Sequence, residues 1–229
     1  MTLKNIQKDI QMPLAPTFSG DIEQYIKDSE KWNNEFMNFM EDYARILADN
    51  IMEQPRWEDI RVAAQSVKAG GSAPGFGSFL GSGGLKTYLF DNGSDEEVHF
   101  SLQIPHGVKY GTKLRPHVHW SPTTTGSGGV CWALEYSWAN IKTDVSSDYI
   151  FSTPATITGV GNTSEVAYEH IITELGEIEI DFTASAMLVC RLYRDVSDSG
   201  DDYGADAAFH EFDVHALFDS VGSREEYRK

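Results

Sequence analysis

The chain is poor in cysteine and in basic residues, and it has no long apolar runs. Its 229 residues include only two cysteines, Cys131 and Cys190, each inside an apolar run and neither with a CxxC partner. Both are expected to be buried free thiols, because small uncharged sulfur side chains behave as core residues when no second thiol or His/Cys cluster lies nearby. Lys and Arg number 18 against 35 Asp and Glu, a net charge of −17. A nucleic-acid backbone would be repelled by the chain as a whole, so no DNA or RNA partner is expected. Nowhere do roughly 18 apolar residues run together, and the start, MTLKNIQKDIQMPLAP, has neither the apolar core nor the small-residue cleavage site of a secretory signal. The expectation is a soluble protein made in a cytoplasm, with no membrane partner.

What is present is a globular composition, 41% hydrophobic and 12% aromatic, enough for one substantial core and an appendage. Four segments stand out. Residues 1–18 read as an extended N-terminal arm. Residues 19–54 read as a helical anchor or oligomerisation segment, because SGDIEQYIKDSEKWNNEFMNFMEDYARILADNIME has no proline, no internal glycine past Gly20 and a cap near Ser19 and Asp21 before Pro55. Ile22, Tyr25, Trp32, Phe36, Phe39, Tyr43 and Ile46 recur at steps of three and four, interrupted by polar Ser29 and Asn50, which is the seam of a coiled coil. Ile26, Met40, Leu47 and Ile51 widen the stripe, so more than one neighbour is implied. Either the helix folds back on its own β domain, or it self-associates, with bulky Trp and Phe filling the wider core of a homotrimer.

Residues 55–84 read as a Gly-rich connection, on the strength of GGSAPGFGSFLGSGG at 70–84. GSGGLKT (81–87) ends as a phosphate loop does, but Leu80 and Leu85 occupy the positions where glycine is needed, so no amide cradle forms. Over 85–229 the period becomes two. EVHFSLQI (97–104) and VCWALEYSW (130–138) alternate apolar and polar residues, and LKTYLF, VHW, VAYEHII (166–172), EIEIDF (177–182), MLVCRLY and FHEFDVHALF look alike. The expected fold is mainly β: an antiparallel, jelly-roll-like β-sandwich preceded by one long helix.

All seven histidines follow residue 98. His117 and His119 in LRPHVHW share a strand face, and Gly111 completes the first half of a cupin pattern, G-x5-H-x-H. The glutamate that should follow is missing, as is the second half of the pattern. His117 and His119 are therefore candidate metal ligands whose remaining partners must come from elsewhere among His99, Glu135, Glu169, His170, His210 and His215. No cofactor is expected beyond such an ion. Asp195, Asp198, Asp201, Asp202 and Asp206 offer hard oxygens, but at spacings foreign to the EF-hand loop, so a solvated connection is expected. Trp120 and Tyr110 near strand ends are candidates to stack a sugar or to fill an intersubunit contact.

Taken as an ordered series, RVAAQSVKAGGSAPGF (61–76), LRPHVHW (114–120), CWALEYSWANI (131–141), SAMLVCRLYRD (185–195), DDYGADA (201–207) and FDVHALFDSVGSR (212–224) resemble a family of structural proteins encoded by tailed bacteriophages. The resemblance covers roughly residues 57–229 and leaves out the helix. It implies a β-sandwich component of the virion, head- or tail-associated, such as a fibre, decoration or adaptor protein, with no catalytic residues to carry over. Residues 1–53 would then anchor it to other virion proteins. The rival expectations are a carbohydrate- or receptor-binding module and a cupin-like metal-dependent enzyme.

Overall fold

The computed structural model describes residues 12–52, 55–81, 83–142 and 148–226, and the side chains of these except at 48–52. The chain divides into two units between Gln54 and Pro55.

Among the described residues of the first unit one helix, α1 (Ile22–Met52), runs 31 residues. Asp21 caps it, its Oδ1 accepting the amides of Glu23 at 3.0 Å and Gln24 at 3.1 Å, donors that have no partner within the helix. Residues 12–18 return along the helix: Trp32 Nε1 donates to the carbonyl of Pro13 at 3.1 Å, and Phe18 meets Tyr25 edge-on at 5.5 Å. Four residues of the expected seam form a ring ladder along the helix, Trp32 on Phe36 at 5.1 Å, Phe36 on Phe39 at 6.4 Å and Phe39 on Tyr43 at 6.0 Å. Ile22, Ile26, Met37 and Met40 beside it are exposed. Residues 1–11 of the expected arm, and the side chains of Asn50 and Ile51 in the stripe, lie outside what is described.

The second unit is mainly β, two antiparallel sheets enclosing one core. The strands are β1 (Arg56–Ala63), β2 (Lys68–Ala69), β3 (Gly75–Ser78), β4 (Lys86–Phe90), β5 (Glu97–Gln103), β6 (Arg115–Pro122), β7 (Gly129–Ala139), β8 (Ala155–Asn162), β9 (Ile171–Glu174), β10 (Met187–Arg194) and β11 (Ala207–Phe218). The first sheet has the order β3-β4-β11-β6-β9 with β1 also paired to β11; the second has β2-β5-β10-β7-β8. The alternation read in the sequence holds where it was clearest: Val98, Phe100 and Leu102 of β5 and Val130, Trp132, Leu134 and Tyr136 of β7 point into the core, against Val118, Trp120, Phe209, Phe212 and Val214 of the first sheet.

Four segments differ from expectation. The connection 55–84 is largely structured, since β1 pairs with β11 along its length, from Arg56↔Phe218 to Ala63↔Glu211, and β3 pairs with β4. RWEDIRVA carries four charges in eight residues, so its period of two was masked, yet Ile60 and Val62 still reach the core. EIEIDF forms a single bridge, Leu114↔Ile178, in place of a strand, and VAYEHII is strand only from Ile171. ATITGVGN, too rich in glycine to read as a strand, is β8. Its Gly159 lets two backbones touch, because a Cβ there would lie 2.0 Å from the carbonyl oxygen of Glu174.

A buried ion pair joins the two sheets. Arg194, fully enclosed on β10, sends Nη2 to Asp201 Oδ1 at 2.8 Å and to the Tyr203 carbonyl at 2.6 Å, and Nη1 to the carbonyls of Phe90 on β4 and Ala205 at 3.1 and 2.8 Å; Nε meets Asp201 Oδ2 at 2.9 Å. Asp201 Oδ2 also takes the amide of Cys131, and Asp202 Oδ1 that of Gly129. The acidic stretch expected as a solvated connection is thus partly an interior clasp: a guanidinium fork has the donors to satisfy a carboxylate and several carbonyls at once.

Candidate functional site

Side chains on β6 alternate, so Val118 and Trp120 enter the core while His117, His119 and Ser121 face outward from the first sheet. On the neighbouring β11 a bulge between Phe209 and Glu211 interrupts the register. Phe209 points inward before it, Phe212 and Val214 after it, so His210 and Glu211 both turn outward, followed by Asp213 and His215. The result is a row of imidazoles. His215 lies 4.2 Å from His117 between ring centroids, His117 5.0 Å from His119, His119 4.9 Å from His170 and His170 6.3 Å from His210. Five of the seven histidines therefore gather on one sheet face.

Asp213 sits at the centre of this row, cross-strand from His117, with only 3% of its side chain exposed. Its Oδ2 is 3.1 Å from His119 Nε2, and its Oδ1 contacts His117 Nε2 without hydrogen-bond alignment and has no other partner although fully buried. His119 Nδ1 meets His170 Nε2 at 2.8 Å, His215 Nε2 pairs with Asp59 at 3.0 Å, and His210 Nε2 meets Ser121 Oγ at 2.7 Å under the edge of Phe79. Charged neighbours frame the row, with Arg61 forked onto Glu211 and Arg115 paired to Glu177 and lying over Trp57. A cavity of about 320 Å³ opens beside His117, lined by Arg115, Glu174, Gly176, Glu177 and His215.

Burial and neighbouring charge push these imidazoles in opposite directions. Burial lowers the pKa of His117, but the adjoining Asp213 carboxylate more than offsets it, leaving His117 above its ordinary 6.5. Burial dominates at His119, aided by the like charges of His117 and His170, and holds it below 6.5. His210 is pushed down to about 4 by burial and by its neighbours His170 and His119. A depressed histidine contributes stability that is present above its unfolded value and lost on acidification, whereas the raised His117 contributes stability below 6.5 that is lost as pH rises through its folded value. The protein should therefore lose stability as pH falls from 6.5 toward about 4, and His210→Asn should flatten that limb. Urea midpoints measured across this range in EDTA buffer check it; an acid limb unchanged by the substitution would contradict the assignment.

The sequence brought His117 and His119 together correctly and missed Asp213, the group that unites them. Asp213 is distant in the chain and lies in a strand read only for its apolar face. Of the other candidates His170, His210 and His215 join the row, whereas His99 and Glu135 lie on β5 and β7 of the other sheet. Glu169 instead holds the Ser164 amide at 2.6 Å. The cluster differs from the cupin expectation, with an aspartate on β11 in place of a glutamate following the histidines.

Trp120 is a correction: it is fully buried, its Nε1 donating to Thr173 Oγ1 at 2.9 Å, so its ring is closed to a sugar. Tyr110 is half-buried, its hydroxyl accepting the Ala184 amide at 2.7 Å and its ring edge-on to Phe182. Cys131 and Cys190 are buried free thiols, each pushed up to about 12 by burial, with nearby aspartates adding at Cys131, and neither is a thiolate nucleophile near neutrality. Among the described residues no carboxylate contacts His210, so Ser121 and His210 form no triad. No helix is long and apolar enough to cross a membrane among the described residues. No family model, curated protein or solved structure matches the chain.

Proposed function

We propose that the chain is a non-enzymatic structural subunit of a tailed-bacteriophage virion, a homotrimer assembled through the seam of α1 and carrying a jelly-roll body. The observation that carries this reading is the ring ladder of α1, with exposed apolar side chains running beside it. A helix with such a stripe gains by burying it against copies of itself. The strand order supports the jelly-roll reading, since β4-β11-β6-β9 and β5-β10-β7-β8 divide eight successive strands between two sheets as paired Greek keys do. The phage resemblance supports the setting, and the burial of Trp120 weighs against a sugar-stacking module.

Light scattering on the purified full-length chain should give three times the mass of one chain, and Phe36→Lys with Phe39→Glu should give monomers whose β unit melts as before. The chain should also be present in purified particles of the phage that encodes it. A monomeric parent protein would overturn the trimer, and absence from particles the virion role.

A further inference from the structure

We propose that His117, His119 and Asp213 form a binding site for one divalent transition-metal ion on the outer face of the first sheet. The three side chains come from two hydrogen-bonded strands, His117 and Asp213 directly paired and His119 two residues on, so their common face is fixed by the sheet. One ligand atom from each lies within 4.8 Å of the others, and tetrahedral zinc with bonds of about 2.1 Å sets its ligands roughly 3.4 Å apart, so small side-chain rotations suffice to bring the three onto one ion. Two imidazoles with one carboxylate favour zinc, nickel or cobalt over calcium, which takes oxygen alone.

The second observation is a poorly satisfied oxygen. Asp213 Oδ1 is buried and touches His117 Nε2 without an aligned hydrogen bond, with no other partner among the described residues, a state that is costly unless something else satisfies it. An ion between the carboxylate and the two imidazoles would do so. The surroundings fit as well. In one tautomer His119 Nδ1–H donates to His170 Nε2, 2.8 Å away, which leaves the Nε2 lone pair facing Asp213 Oδ2; that is the outer hydrogen bond by which ligating histidines are oriented. In the other tautomer a proton fills the gap and no ion is held, which is the alternative the experiment separates. The cavity beside His117 gives an ion entry, and three protein ligands leave room for water in the coordination shell.

The test uses the full-length chain, stripped with EDTA, dialysed and titrated with zinc chloride by calorimetry, with metal content read by elemental analysis and cobalt substitution read by its visible absorption. One zinc per chain, a higher melting temperature with zinc and a cobalt spectrum bearing nitrogen ligation are expected. His119→Gln should weaken binding at least about tenfold, and His170→Gln by a similar factor through the lost outer hydrogen bond, while His99→Gln on the other sheet leaves it unchanged. Asp213→Asn tests the carboxylate directly; if it fails to fold, the less buried His119 carries the comparison. Absence of stoichiometric zinc in the parent, or equal affinity in His119→Gln, would overturn the site. Because the readout is metal per chain, it does not depend on the oligomer or on the particle.

Discussion

Arg194→Met should lower the stability of the β unit by about 3–5 kcal/mol, the cost of breaking a buried ion pair by removing one partner. The loss is not that of a single bond. Asp201 would keep its charge in a site where only 2% of its side chain is exposed, holding no more than the amide of Cys131, and the carbonyls of Phe90, Tyr203 and Ala205 would each lose a donor. Because those carbonyls come from β4 and from the segment after β10, the substitution also loosens the join between the sheets. Urea unfolding followed by tryptophan fluorescence measures it. The double variant Arg194→Met with Asp201→Leu should recover much of the loss, since a buried pair replaced by apolar groups of similar volume is often neutral. A single variant within about 1 kcal/mol of the parent would mean that the clasp is not a major source of stability.

Trp120→Ala should cost a similar amount, about 3–5 kcal/mol, as large-to-small changes of buried aromatics do. The ring lies edge-on to Trp132 at 6.4 Å and beside Tyr203 at the same distance, and its removal leaves Thr173 Oγ1 without its indole donor. The same substitution also separates functions: a module that used Trp120 to stack a sugar would keep its fold and lose binding, whereas a core tryptophan loses the fold first. Thermal unfolding and near-ultraviolet circular dichroism distinguish the two outcomes.

Much of the architecture was legible because two periods dominate the chain. Steps of three and four marked α1 and its seam, and alternation marked β5, β7 and β10. The same alternation that placed His117 and His119 on one face of β6 also places Trp120 on the other, so its burial followed from the pattern once the faces were assigned. Other features could not be read this way. β1 hides its two inward residues among charges, and β8 is built on glycines that matter only because β9 passes against them. The bulge at His210 reverses the parity of β11, which no fixed period anticipates, and Asp213 meets His117 only through strand pairing across 96 residues of chain. DDYGADA could be recognised as part of a pattern, but its physical meaning lies in an arginine seven residues earlier.

The position of β11 bears on how the protein is made. This one strand pairs with β1, β4 and β6, so the first sheet has no centre until it is synthesised. β1 leaves the ribosome early and then waits for partners as distant as Phe218, on the order of ten seconds at typical elongation rates. During that interval α1, whose contacts are local, can already be formed. If the helices associate as proposed, nascent chains would meet through them before their bodies close, and a chain cut short before β11 would carry an intact helix and an unfinished first sheet.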